Sequence, residues 1–196
     1  LGVYGWPQAL EEHSPGPDPM ANGSSEVGVK LLKGQFRSLR SRLEENIGYR
    51  VPVRHPVMSW LVRHAANVVI WCAKGHDGQT AYQRVRLRQF TTRLLGFGEV
   101  CSFKNRAQEP IASSMGGRRF NKGVFVGIDR RTGQYMLLCN DGIKMARTVM
   151  RNPDAEKWSK DELSSVHATP WNMFAPRDPE VVFQPRADGV PVYDFQ

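Results

Sequence analysis

A stripe of charged residues recurs at helical spacing near the start of the chain and combines one carboxylate with several cations. Glu26, Lys30, Lys33 and Arg37 follow one another at steps of three and four residues, so in a helix they share one face. Cations in that arrangement can contact the phosphates of a nucleic acid. A solvated helix face has the same pattern, and the helix dipole favours a carboxylate in a first turn. Both interpretations remain open at this point.

A second group of cations lies further along the chain, where positive charge is concentrated. The net charge of the 196 residues is +8, but residues 82–151 alone hold 14 basic and 4 acidic residues, a net charge of +10. Such a segment is typical of a surface that binds phosphates, although a charged face that only maintains solubility has the same composition. The cations with few acidic neighbours are Arg118, Arg119, Lys122, Arg130 and Arg131. Because the nearby aromatic residues are interpreted as core, we expect contacts that are independent of base sequence.

Several classes of protein are excluded by composition. No apolar run approaches the ~18–20 residues that span a bilayer, and no leader-like segment opens the chain, so we expect neither a membrane partner nor secretion. Cys72, Cys101 and Cys139 are scattered, and no histidine accompanies them at zinc-ligand spacing. This argues against a disulfide framework or a zinc knuckle and favours a reducing, intracellular compartment.

Hydrophobic periodicity predicts the helices that position the first stripe. A first helix is expected from about Ser24 to Ile47, with Gly48 as its stop. Its apolar side is formed by Val29, Leu32, Phe36, Leu39 and Leu43. A second, well-buried helix is expected over residues 56–73, and it contains Trp60, Trp71 and a hydrogen-bonded core histidine, His64. Thr80 is expected to cap a short third helix that ends at Val85.

After residue 97 the periodicity changes to that of strands. Short runs rich in β-formers occur at 100–102, 124–128, 135–139 and 143–149, and turn signals such as Asn140-Asp141-Gly142 separate them. They predict a small β-barrel or curled sheet. We therefore expect an irregular lead-in over 1–23, a helical region over 24–90, a basic β-barrel over 97–151 and a partly docked, mostly disordered linker over 152–196.

Several short segments of the sequence, in this order, resemble segments of retrotransposon integrases. The segment ANGSSEVGVKLLKGQFRSLRSRLEE (21–45) resembles the stretch in which an Asn-Gly pair precedes the third catalytic acid of that family. HPVMSWLVRHAANVVIWCAKGHDGQTAYQRVRLRQF (55–90) is similar to the helix and Gly-x-Thr-x-Tyr segment that follow. FGEVCSFKN, GVFVGIDRRTGQYML and DGIKMARTVMR resemble the β-barrel after the catalytic core, and SSVHATPWNMF the join toward a reverse transcriptase. The resemblance covers roughly residues 14–175.

The resemblance implies an α+β chain: the helical C-terminal portion of a ribonuclease-H-like integrase core, a small β-barrel and a disordered tail. In the intact enzyme, two aspartates and one glutamate hold two Mg²⁺ or Mn²⁺ ions for polynucleotidyl transfer. The catalytic, metal-binding glutamate of the family matches Glu26, and its DNA-contacting cations match Lys30 and Lys33. Arg37 continues their face of the helix, so it is predicted to contact DNA as well.

This chain departs from the family at the metal site. The two aspartates lie upstream in the family, and Asp18 matches neither of them. We therefore expect that the chain alone binds no metal and is inactive, and that it is a piece of a longer polyprotein, since it begins at Leu1. The expected activity is sequence-independent DNA binding in a nuclear or cytoplasmic nucleoprotein, with a homo-oligomer left open. The alternatives are a protein-interaction or structural module derived from a retroelement and, third, an independent nuclease.

Overall fold

The protein is described from a computed structural model, which covers residues 23–104, 120–174 and 184–185. The predicted lead-in before Gly23, the cations Arg118 and Arg119, and most of the predicted disordered tail lie outside these residues. Among the residues described, no helix combines the length and hydrophobicity needed to cross a bilayer.

The first helix, α1, runs from Gly23 to Ile47, in agreement with the prediction. Its C-terminal half is packed, and Leu43 is 1% exposed. Its N-terminal half projects apolar side chains toward solvent, and Val27 is 58% exposed. The helix ends where Gly48 adopts a φ of 73° and its N–H donates to the Glu44 carbonyl at 3.0 Å. Glycine adopts this left-handed conformation more easily than other residues do, which is why the predicted stop is correct.

The second and third helices also form close to their predicted positions. α2 spans Val57–Cys72 and α3 spans Ala81–Arg86. Trp60 is fully buried on α2, and its indole N–H donates to the Ala168 carbonyl at 2.8 Å. His64 is buried as predicted, but in the described part of the chain its Nδ1 has no hydrogen-bond partner. The expectation of a hydrogen-bonded core histidine is therefore not met at that nitrogen.

Five antiparallel strands form one sheet: β2 (Val100–Lys104), β3 (Phe120–Ile128), β4 (Tyr135–Cys139), β5 (Gly142–Ala146) and β6 (Val149–Arg151). Their order in the sheet is β5-β4-β3-β2-β6. The single run expected over 143–149 is divided between β5 and β6, because the chain bends at Arg147-Thr148 and β6 pairs with β2 at the far edge. A mixed α+β fold is thus confirmed. The ribonuclease-H-like core and the closure into a barrel stay predictions.

Two buried hydrophobic clusters join the helices to the sheet. Leu43 of α1 and Trp60 and Leu61 of α2 belong to the same hydrophobic cluster as Val124 and Leu138 of the sheet. A second cluster groups Trp71 and Leu95 with sheet residues such as Phe125. The helices and the strands therefore stabilise one another by excluding a common apolar surface from water.

The segment after β6 contributes to this core. It forms a short 3₁₀ helix, Asp154–Glu156, and a fourth α-helix, α4, Lys160–Ser164. Leu163 and Val166 are each 1% exposed and pack in the first cluster. Trp158 lies against the same cluster, whereas Trp171 is exposed. A two-residue strand, β1 (Tyr49–Arg50), pairs antiparallel with β7 (Gln184–Pro185).

Candidate nucleic-acid interface

The charged stripe predicted from the sequence lies on α1. Glu26 is in the first turn, and Lys30, Lys33 and Arg37 follow it along the helix. All four residues are exposed to solvent. Their spacing places the carboxylate and the three cations on one face, as expected.

The described residues do not fit the two-metal centre that the integrase resemblance implies. In residues 23–104, 120–174 and 184–185, no three His, Cys, Asp or Glu side chains lie close enough together to hold a metal ion. Glu26 thus belongs to no ligand group in this part of the chain.

Two of the α1 cations border an apolar groove between α1 and α2. Leu32 and Phe36 of α1 and Val62 of α2 line a space of about 350 Å³, with Lys33 and Arg37 beside them. We call this space the α1–α2 groove. The exposed side chains of Val27, Val29 and Leu31 extend the apolar surface along the helix.

A second cavity, of about 130 Å³, lies between α3 and the turn that joins β3 to β4. Its cationic residues are Arg86 and Arg88 on one side and Arg130 and Arg131 on the other. All four arginines are exposed. Among the residues that the structure describes, Asp129 is the one acidic residue that lines it. We call this cavity the arginine cleft.

The α3 wall is fixed by a capping box. The Gln83 N–H donates to the Thr80 hydroxyl at 3.1 Å, and the Thr80 N–H donates to the Gln83 side-chain oxygen at 2.8 Å, so two otherwise unpaired donors at the helix start are satisfied. Leu87 then adopts the left-handed conformation, with a φ of 54°, and is 91% exposed. A bulky residue rarely adopts this conformation. It ends the helix between Arg86 and Arg88, both of which line the cleft.

The opposite wall is a turn built around Asp129. One carboxylate oxygen, Oδ2, accepts from the Thr132 N–H at 2.9 Å and from the Thr132 hydroxyl at 2.7 Å. Gly133 has a φ of 71°, and its N–H donates to the Asp129 carbonyl at 2.8 Å. These bonds fix the loop that carries Arg130 and Arg131.

The surroundings of Asp129 favour the ionised form of its carboxyl group. Partial burial, the largest single effect, raises the pKa of Asp129, but the hydrogen bonds from Thr132 and the positive charges of Arg131 and Arg63 together lower it below its usual value. The carboxylate is therefore ionised at neutral pH. The four cleft arginines exceed it by three charges, so the cleft attracts anions.

The floor of the cleft is aromatic. The rings of Trp71 and Phe90 are stacked, with centroids 4.4 Å apart and planes 7° from parallel. Tyr82 meets Phe90 in a T-shaped contact at 5.5 Å. Trp71 is buried, whereas Tyr82 and Phe90 are half-buried, and all three residues line the cavity. Proteins that bind single-stranded nucleic acids combine positively charged and aromatic side chains in the same way.

The structure separates the predicted DNA-contacting residues into three settings. Lys33 and Arg37 border the α1–α2 groove, and Arg130 and Arg131 line the arginine cleft. Lys30 and Lys122 line neither cavity, and the ammonium of Lys122 forms a salt bridge of 2.9 Å with Glu156. Arg118 and Arg119 are outside the described residues.

Two features of the basic segment were not singled out by the sequence. Arg86 and Arg88 join Arg130 and Arg131 only through the fold, although the alternation in RVRLR (84–88) is a signal that could have marked them. Glu99 is fully buried and receives two hydrogen bonds from Arg151, at 2.6 and 2.7 Å. Arg151 is thus a structural cation.

Comparisons of the chain with known protein families, with curated proteins and with solved structures give no match. The resemblance to integrases consequently rests on the short sequence segments alone. The geometry of the cations is independent of that resemblance.

Proposed function

We propose that this chain binds DNA through phosphate contacts that are independent of base sequence, as the C-terminal part of a retroelement integrase. The observation that carries the proposal is the arginine cleft, where four guanidinium groups meet one carboxylate. Guanidinium groups match phosphate oxygens in geometry and stay charged at any physiological pH. In the intact polyprotein, the activity would be polynucleotidyl transfer with Mg²⁺ or Mn²⁺, to which Glu26 would contribute one ligand, in a nuclear or cytoplasmic nucleoprotein.

The distribution of charge supports the same proposal. Within residues 82–151, Arg84, Lys144 and Arg151 are paired with Asp77, Asp141 and Glu99. The cleft arginines take part in no salt bridge within the described residues. The excess positive charge of the segment is thus concentrated where a polyanion can reach it. The α1 cations Lys30 and Lys33 add a second exposed positive face.

The salt dependence of DNA binding tests this proposal. If about four phosphates are neutralised, the affinity for a random duplex falls by roughly 10²-fold between about 50 and 200 mM salt, because the released counterions oppose binding. A second duplex of equal length and different sequence serves as the control and should bind equally well. A decrease of less than about threefold over that range would contradict phosphate-driven binding.

The α1–α2 groove favours a second candidate function, a protein-interaction module. Its apolar lining of Leu32, Phe36 and Val62 and the exposed Val27 are suited to burying an apolar surface of another chain. A homo-oligomer would be one form of such an interaction. Salt-insensitive or absent DNA binding in the experiment above would favour this function over the first.

A further inference from the structure

We propose that the arginine cleft binds one phosphate group of an unpaired nucleic-acid strand, so that the chain prefers single-stranded to double-stranded DNA. The inference rests on the proposed DNA-binding function and specifies the form of nucleic acid that the cleft recognises. It concerns Arg86, Arg88, Arg130 and Arg131 together with the aromatic floor beneath them.

The size of the cleft limits what can enter it. Its volume of about 130 Å³ is well below the ~300–1,000 Å³ of pockets that enclose a whole small ligand. A phosphate group with part of its hydration fits such a space, whereas a duplex is far wider and must remain at the rim. A single strand can rotate its backbone and place one phosphate between the two walls.

The arginines that line this space belong to two separate segments of the chain. Arg86 and Arg88 follow the capped helix α3, and Arg130 and Arg131 lie on the turn that Asp129 fixes. A phosphate between the walls can accept charge-assisted hydrogen bonds from both sides. None of the four guanidinium groups makes a hydrogen bond or salt bridge within the described residues, so none has to leave a partner to bind a phosphate.

Two other cations of the basic segment are held by carboxylates. Arg84, one turn before Arg88, is held by two hydrogen bonds to Asp77, at 2.6 and 3.0 Å. Lys122 on β3 is held by Glu156. These two cations are therefore less available to a phosphate than the four arginines of the cleft.

The aromatic floor discriminates between unpaired and paired bases. Tyr82 and Phe90 are half-buried and line the cavity, so a base next to the bound phosphate would meet aromatic side chains on which it can stack. The bases of a duplex are already stacked on one another and cannot make this contact without unpairing. Stacking consequently adds affinity for a single strand and not for a duplex.

The test is a titration of fluorescently labelled DNA, followed by anisotropy, with a short single strand and with the duplex of the same sequence. The variant is Arg88→Gln/Arg131→Gln, which removes one cation from each wall. The control is Arg93→Gln/Arg147→Gln, which removes the same charge from two exposed arginines outside the cleft lining. All four positions are exposed, and a thermal melt verifies that each variant is folded.

We expect the cleft variant to lose at least about tenfold in affinity for the single strand, since a charge-assisted hydrogen bond contributes about one decade in the binding constant. We expect the control to lose less than about threefold for either ligand. We expect the cleft variant to lose less affinity for the duplex, which contacts only the rim, than for the single strand. Inorganic phosphate should displace the single strand from the unsubstituted protein more strongly than chloride at equal ionic strength. In the cleft variant this difference should vanish.

The outcomes separate the two proposals. Equal losses in the cleft variant and the control, for both ligands, would overturn the cleft assignment and leave salt-dependent DNA binding in place. Equal losses of single-strand and duplex affinity in the cleft variant alone would keep the cleft as a phosphate site and overturn its preference for unpaired strands. Failure of the unsubstituted protein to bind either DNA would overturn the proposed function itself. Displacement by phosphate and chloride to the same extent would contradict a phosphate-selective site.

Discussion

Arg151 and the arginines of the cleft come from the same basic segment but have opposite surroundings. Arg151 donates two hydrogen bonds to the fully buried Glu99, which also accepts from the Gly96 N–H at 3.0 Å. The hydrogen bond to Glu99 is the main reason that the pKa of Arg151 is raised. In the cleft, Asp129 is bonded to its own turn, and four arginines face solvent around it.

The difference shows why a net charge of a segment is an incomplete guide to binding. Residues 82–151 carry a net charge of +10, yet Arg151 contributes to folding and the cleft arginines to an exposed positive surface. The two environments also differ in what a substitution should do. Removing a partner from the buried pair should change stability, whereas removing a cleft arginine should change binding.

The largest expected effect is on the buried pair. Arg151→Met leaves the fully buried Glu99 carboxylate without its counter-charge, and we expect it to lower the free energy of unfolding by about 3–5 kcal/mol. Glu99→Gln should lower it by only about 1–2 kcal/mol, because the side chain of Arg151 is 38% exposed and can return to water. Urea denaturation measures both values.

Arg147→Met is the matched control for the change at Arg151. Arg147 is exposed on the bend between β5 and β6, so its substitution should alter the free energy of unfolding by less than about 0.5 kcal/mol. We predict a larger loss of unfolding free energy when the buried carboxylate loses its partner than when the partly exposed guanidinium does. A larger loss for Glu99→Gln than for Arg151→Met would contradict this prediction.

Elements governed by local patterns could be predicted from the sequence. α2 could be placed from its apolar periodicity, α3 from the Thr80 cap, and the β4–β5 turn from Asp141-Gly142. Each depends on residues within a few positions of one another, so the sequence contains the whole signal. The stop at Gly48 belongs to the same class, because the helix end and the left-handed glycine are adjacent.

Features that depend on distant pairing could not be predicted in the same way. Glu99 and Arg151 are 52 residues apart and meet only because β6 pairs with β2 after the bend at Arg147. The cleft unites Arg86 and Arg88 with a turn more than 40 residues later. The sequence predicts Lys122 as a DNA contact, but its pairing with Glu156 depends on the path of the chain after β6. The sequence identified the right kind of residue without its neighbours.

An effect of intermediate size is expected at His64. Unlike Arg151, this buried basic group has no acidic partner among the described residues. His64 is 2% exposed, and burial lowers its pKa from 6.5 to about 4. The unfolded chain therefore takes up a proton near pH 6.5, and the folded chain only near pH 4. Stability from neutral His64 is fully present above pH 6.5 and falls as the pH decreases toward 4.

At pH 5 this difference corresponds to a loss of about 2 kcal/mol relative to pH 7. His64→Leu should remove that share, so urea denaturation at the two pH values should show a smaller decrease for the variant than for the unsubstituted protein. A decrease remains in both proteins because burial, assisted by the charge of His167, also lowers the pKa of His55 to about 4. Equal decreases in the two proteins would contradict the assignment to His64.

The smallest effect is expected at Lys122, the paired cation of the surface. Both side chains of the Lys122–Glu156 pair are about half exposed, at 51% and 55%, so Glu156→Gln should change the free energy of unfolding by less than about 1 kcal/mol. The same substitution removes a carboxylate that competes for Lys122, and we expect duplex affinity at low salt to rise by no more than about threefold. Lys122→Gln should reduce the affinity for the short single strand by about twofold or less, since its charge is already partly neutralised. Anisotropy titrations with that strand, alongside the Arg88→Gln/Arg131→Gln variant, decide the point. A loss of single-strand affinity at Lys122 as large as the loss in the cleft variant would show that pairing within the fold does not separate structural cations from DNA-binding ones.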